Sequence, residues 1–269
     1  MNNNLHHQHI DHSFTILTQG LLAIPFLLAI IVYFLAVYIS NKKYKRRPFI
    51  RNTLFLFGSL SAFVALVGPV SQRSHSDFVY HMIVHLLLGM LAPLLIALSA
   101  PMSLALRTLP VAQARKLTSL LKSRIFKFYT DPIVTSILNV GGLWLLYTTN
   151  LFHLMHQSVL LYVLIHMHVF IAGYLFTISM IYIEPIMHRR SYYYRSLVFI
   201  FALAGHGILS KYIYAHPPIG VPLAQAEKGA MLMYYLGDLI GAVIIFILCL
   251  QWYISTRPKT LMQNNKLGV

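Results

Sequence analysis

Histidine and aspartate interrupt several long apolar stretches of this chain. Asp77, His81 and His85 open DFVYHMIVHLLLGML, His166 and His168 lie in LYVLIHMHVFIAGYLF, His206 in ALAGHG, and Asp238 in MYYLGDLIGAVIIF. In lipid an ionisable side chain is costly, so it faces a bundle interior or a wet cavity and marks a site. Imidazole is the commonest metal ligand. His81 and His85 are four residues apart, one helical turn on one face, and Asp77 starts the same stripe. At about 1.5 Å per residue, His85 falls about seven residues below one membrane surface, His166 and His206 about eight, and Asp238 about nine. Coincident depth on several helices points to one shared metal site made of Asp77, His81, His85, His166, His206 and Asp238. The other reading is that each group makes its own helix-packing hydrogen bond. His166 and His168 point to nearly opposite sides of a helix, so at most one enters a shared site.

The elements that must hold these groups are membrane helices. The chain has 269 residues, 58% hydrophobic and 10% charged, against about a quarter charged in a soluble domain. Seven runs reach the roughly 20 residues that span a bilayer: 18–40, 51–70, 78–98, 132–152, 158–183, 195–214 and 229–253. The expected fold is all-α, a polytopic membrane protein of seven transmembrane helices. Its parts are a His-rich extracytoplasmic tail (1–17), a transmembrane domain (18–255) and a cytoplasmic tail (256–269).

The net charge of +15 sorts by loop. Lys42, Lys43, Lys45, Arg46, Arg47 and Arg51 fill the first loop. Arg107, Arg115, Lys116, Lys122, Arg124 and Lys127 fill the third, Arg189, Arg190 and Arg195 the fifth, and Arg257, Lys259 and Lys266 the tail. Only Arg73, Lys211 and Lys228 fall on the other side. The positive-inside rule then sets the N-terminus outside and the C-terminus in the cytoplasm. The basic charge is topology, not nucleic-acid binding. The expected location is a bacterial plasma membrane.

The N-terminal MNNNLHHQHIDHSF lacks a basic n-region and a small-residue cleavage site, so it reads as an exposed tail. The lone Cys249 excludes an intrachain disulfide and a CxxC copper chaperone. His153, His156, His216 and the tail histidines His6, His7, His9 and His12 could hand metal inward, or be plain solvated loop groups. Met82, Met90, Met155 and Met167 are possible thioether ligands for Cu(I) or ordinary packing. Leu117, Leu120, Leu121, Ile125 and Phe128, interleaved with cations in the long third loop, read as an amphipathic helix on anionic lipid or as a surface connector. Glu184, close to Arg189 and Arg190, reads as a local ion pair. Neither a GxSxG, HExxH, P-loop nor dinucleotide fingerprint occurs, and six acidic residues leave little for paired-carboxylate catalysis.

The segment HMIVHLLLGMLAPLLIALSAPMSLALRTLP, with His81, His85, Ala92–Pro93, Ala100–Pro101 and Leu106–Pro110, resembles the CtaG family of cytochrome c oxidase assembly factors tied to caa-type oxidases. A second block, with His153, His166 and the run Ala172 to Phe176, looks like the family's later pattern. The likeness runs from about residue 20 to 255. Three positions depart from it: Ile165 where glutamate is frequent, Thr177 where tryptophan is usual, and GDLIG in the last span, which shifts Asp238. The resemblance implies a non-enzymatic role in maturing a haem–copper oxidase by aiding copper insertion. It implies oxidase subunits in the membrane as partners and an extracytoplasmic copper donor. The residues also fit a copper transporter, a haem-binding electron carrier, or a metal-free scaffold.

Overall fold

The computed structural model describes residues 2–258, with side chains from 17 onward. The elements are α1 (Asn2–Lys43), α2 (Phe49–Leu66), α3 (Pro69–Ser74), α4 (Phe78–Leu86), a π-turn (Leu87–Leu91) and α5 (Ala92–Ser99). Then come α6 (Pro101–Thr108), α7 (Val111–Leu121), α8 (Arg124–Tyr129), α9 (Pro132–Ser136), a second π-turn (Ile137–Gly141) and α10 (Gly142–Thr148). The chain closes with α11 (Leu151–Met155), α12 (Val159–Met180), α13 (Tyr192–Ala215) and α14 (Leu223–Thr256). Helix is the form in which an apolar run satisfies its own backbone in lipid.

Among the described residues, six helical stretches are long and apolar enough to cross a membrane: Leu17–Lys43, Phe49–Leu66, Phe78–Ser99, Val159–Met180, Tyr192–Ala215 and Leu223–Thr256. The expected fourth span is instead a shorter apolar helix, Pro132–Thr148. It stops early because Thr149 turns into extended backbone and α11 begins two residues later. The second span likewise ends at Leu66, where Gly68 takes a positive φ of 88° before Pro69. Helix α1 continues back to Asn2, through the stretch expected to be a tail. The side chains of the tail histidines lie outside the described residues.

The expected amphipathic helix of the third loop is two pieces. α7 ends at Leu121, and Ser123 caps α8 by accepting the Phe126 N–H at 3.1 Å. Leu121 is buried, while Leu120, Ile125 and Phe128 stay exposed.

Large exposed apolar side chains cover the flanks, among them Val32, Leu35, Phe201, Leu239 and Phe246. Lipid accounts for such a belt, whereas water would not. Inside, Leu22, Leu66, Met82, Leu88, Leu146, Leu209 and Met233 form a core around the histidines. Phe176, Met180, Phe199 and Leu248 belong to a second cluster. Polar bridges bind neighbouring spans: Trp144 donates to the Gly205 carbonyl at 3.1 Å and Ser210 to that of Ala230 at 2.7 Å.

Two sequence features shape the packing around the stretch Phe78–Ser99. A Cβ on Gly173 would stand 2.0 Å from the Gly89 carbonyl oxygen, so the two backbones touch there. Ala100 adopts a left-handed conformation (φ 56°) between α5 and Pro101. Arg47 donates to the Ser99 carbonyl and, at 2.8 Å, to that of Ala100. Glu184 accepts the N–H groups of Met102 (2.9 Å) and Ser103 (3.2 Å). The expected ion pair of Glu184 with its neighbouring arginines does not form. The carboxylate instead satisfies the orphan donors at the start of α6, and Arg190 pairs with Asp131 at 2.6 Å.

Candidate metal site

The structure gathers His81, His85, His166 and His206, and it leaves both aspartates out. All four imidazoles are buried, each 4–5% exposed. Along α4, His81 and His85 lie about 6 and 12 Å below the Asp77 cap at 1.5 Å per residue. Ring centres are 6.4 Å apart for His81 and His166, set edge to face, and 6.4 Å for His85 and His206, tilted by only 26°. A cavity of about 10 Å³ is bordered by His81, His85, His166 and Tyr147.

Hydrogen bonds hold two of the four rings. His166 Nδ1 lies 2.9 Å from the carbonyl of Tyr162, one turn back. A carbonyl only accepts, so Nδ1 carries the proton and Nε2 keeps its lone pair. The Tyr162 ring stacks on the imidazole at 4.0 Å. His81 Nε2 shares a 3.0 Å hydrogen bond with the Tyr147 hydroxyl. Both nitrogens of His85 and both of His206 are buried with no hydrogen-bond partner. Small residues make room for these two rings: a Cβ on Gly237 would meet His206 Cε1 at 2.6 Å, and one on Gly89 would meet His85 Nδ1 at 3.3 Å.

Asp77 caps α4, its Oδ1 accepting the Val79 N–H at 2.8 Å. That bond orients it toward the helix start and away from the stripe below. Asp238 follows Gly237 on α14 and is exposed; it hydrogen-bonds none of the imidazoles. Its one-residue offset from the glycine turns it off the inner face, as GDLIG foreshadows. Among the described residues, no group of three His, Cys, Asp or Glu side chains stands close enough together to hold a metal ion. The expected six-residue convergence is therefore replaced by imidazole pairs.

His168 takes the other direction. Its Nε2 donates to the Leu138 carbonyl at 3.0 Å, inside the second π-turn, where a carbonyl loses its usual helical donor. His216 stacks on Tyr212 at the surface, 4.7 Å away. Three groups absent from the expected site adjoin it. Tyr147 and Tyr162 sit against the rings, and His75 lies 5.9 Å from His156, which in turn is 6.2 Å from His81. His75 belongs to a loop that reads as a short connector, and only its six-residue offset from His81 hinted at nearness. Burial lowers the His75 imidazole to about 4, with His156 adding to the effect. Burial also lowers His156, opposed by its bond to the Phe152 carbonyl.

A family model described as cytochrome c oxidase caa3 assembly factor (Caa3_CtaG) matches residues 31–255. Among curated proteins, Mb0105 of Mycobacterium bovis and MT0111 of Mycobacterium tuberculosis are each 31% identical over 152 residues, covering 54% of this chain and 23% of theirs. ML1998 of Mycobacterium leprae is 29% identical over 195 residues, covering 70% of this chain and 28% of its own. All three are named as uncharacterized proteins. The chain thus spans about a quarter of the length of these relatives. No solved structure matches it significantly. The match over 31–255 takes in His81, His85, the strained Ala100–Pro101 turn, the Gly89–Gly173 crossing and the His206–Gly237 contact, and on that extent the chain belongs to the caa3-type cytochrome c oxidase assembly factor family, CtaG.

Proposed function

We propose that this chain assists assembly of a cytochrome c oxidase by holding copper as cargo between its buried imidazoles and releasing it to an oxidase subunit docked beside it in the bilayer. It works as a carrier, not an enzyme. Pro132–Thr148 serves as the seventh span, the N-terminus lies outside and the C-terminus in the cytoplasm of a bacterial plasma membrane. The histidine end of the bundle then faces away from the cytoplasm, where a copper donor supplies it.

The observation that carries this reading is the His85–His206 pair. Four ring nitrogens are buried without partners, and a buried polar group left unsatisfied costs about 1–3 kcal/mol. A cation between the rings would satisfy two of them. Two imidazoles sharing one ion have ring centres roughly 6 Å apart, since a metal–nitrogen bond is about 2.0 Å and the nitrogen lies about 1.1 Å from its ring centre. The observed separation is 6.4 Å. A pair rather than a triad suits Cu(I), which accepts two nitrogen ligands and exchanges them readily. His81 and His166 offer a second pair at the same spacing. Asp77 and Asp238 lie at the margins, as helix cap and nearby charge.

The cavity beside these rings, about 10 Å³, admits an ion and not a porphyrin, which disfavours the haem reading. The test is metal analysis of the detergent-purified full chain after Cu(I) loading and desalting. Wild type should retain copper, and His85→Ala/His206→Ala should retain less while accumulating normally in the membrane. Equal retention in the two, or none in wild type, refutes the site.

A further inference from the structure

Above the buried rings, at the end of the bundle that carries Asp77 and Ser158, lies a cavity of about 190 Å³ bordered by His75, His153, His156 and Gln225. Its histidines grade in exposure. His153 is open to solvent, His75 and His156 are partly covered, and His81 beneath them is buried. Spacing along the series is even: 5.9 Å from His75 to His156, 6.2 Å from His156 to His81, 6.4 Å from His81 to His166. Each step is close to the roughly 6 Å at which two imidazoles share one ion through bonds of about 2.0 Å.

The walls of the cavity are built. His156 Nδ1 donates to the Phe152 carbonyl at 2.9 Å, which leaves Nε2 with the lone pair. The His75 ring lies against Tyr162 at 5.0 Å, and the Tyr162 ring also stacks on His166. Gln225 at the start of α14 accepts the Phe78 N–H at 3.0 Å, tying the far wall to α4. A Cβ on Gly220, at φ 85°, would stand 3.8 Å from His153 Nδ1. Among the described residues no Asp, Glu or Cys borders the space; the three imidazoles share it with the hydroxyls of Ser74 and Ser76 and the Gln225 amide, so its donors are uncharged and led by imidazole nitrogen. Such donors suit a soft monovalent ion better than Mg²⁺ or Ca²⁺, which take oxygen.

We propose that this cavity is an entry site: His75, His153 and His156 capture Cu(I) from outside and pass it by way of His81 to the buried pair. The inference rests on the copper reading above for its destination and adds the route. Because no three donors converge among the described residues, the ion is held here in passing.

Two measurements on the full-length protein in detergent test it, and the second stands apart from the buried site. First, His75→Gln/His156→Gln should take up Cu(I) from a competing chelator roughly tenfold more slowly than wild type, the scale on which ligand-shell changes act, and reach the same final content. An unchanged rate overturns the route. Second, Ag(I) serves as a redox-inert probe, with diethyl pyrocarbonate labelling read by mass spectrometry. Ag(I) should protect His75, His153 and His156 in wild type and also in His85→Ala/His206→Ala. Absence of protection in both overturns the entry site, whatever the buried pair does. Protection there without copper retention in wild type keeps the entry site and refutes only the buried one.

Discussion

Replacing Gly237 by alanine tests whether His206 must sit where it does. The added Cβ would stand 2.6 Å from His206 Cε1 and 3.3 Å from Nδ1. Ordinary contact begins near 3.4 Å, so the ring must move by about 0.8 Å. The colliding atom belongs to a side chain, so the ring can turn and the helices need not part. Alanine favours α14 by about 0.5–1 kcal/mol over glycine in a helix interior. Overpacking a filled site costs about 1–3 kcal/mol. The net loss of stability should therefore be small, of order 1 kcal/mol. The loss of function should be large, because metal–nitrogen distances are held to within about 0.2 Å. We expect Gly237→Ala to melt within a few degrees of wild type in detergent yet bind Cu(I) at least about tenfold more weakly. Unchanged affinity would refute the assignment of His206 as a ligand. A collapse of folding would refute the argument that the imidazole yields.

Gly173→Ala makes the opposite kind of clash, its Cβ 2.0 Å from the Gly89 carbonyl oxygen. Backbone cannot swing aside, so the variant should lose about 3 kcal/mol or more and fail to accumulate, as membrane immunoblotting would show. Glu184→Ala removes the acceptor for two N–H groups of α6 and should destabilise the protein by about 1–3 kcal/mol in thermal unfolding, with copper content per folded molecule unchanged. His168→Ala frees the Leu138 carbonyl and should cost about 1 kcal/mol while leaving copper binding intact; lost copper would return His168 to the site. Acid provides a fourth check. His75, lowered to about 4, and the lowered His156 titrate near 6.5 once unfolded, so between those values the unfolded chain binds more protons. Stability is then complete above about 6.5 and falls as the pH drops toward 4. The melting temperature should decline between pH 7 and 5, and His75→Gln/His156→Gln should flatten that decline.

Much of the architecture could be read from hydropathy and caps. The runs that begin at Asp77, Ser158 and Ser191 carry their own N-terminal caps, and the expected starts at 78 and 158 fall within a residue of the observed ones. Errors arose where one residue's backbone decides an ending. Gly68 shortens the second span, and the extended Thr149 ends the expected fourth before its apolar run does. Four of the six expected site residues come together because helical period alone fixes the direction of His81 and His85, and depth fixes the level of His166 and His206. The aspartates misled for a physical reason. A carboxylate one residue before a helix is a cap first, and a residue beside Gly237 lies about 100° around the helix from it. His75, Tyr147 and Tyr162 escaped notice because their nearness arises from packing between spans, which one sequence does not encode locally. The glycines 89, 173 and 237 had a readable type but no readable partner.

The most direct test is copper K-edge X-ray absorption on the Cu(I)-loaded, detergent-purified chain, wild type beside His85→Ala/His206→Ala. The wild-type spectrum should show a low-coordinate ion in a shell of imidazole nitrogen at about 2 Å, and the double variant should lack it. An identical spectrum in both, or a shell of sulfur in place of nitrogen, would contradict copper carriage by the buried histidine pair.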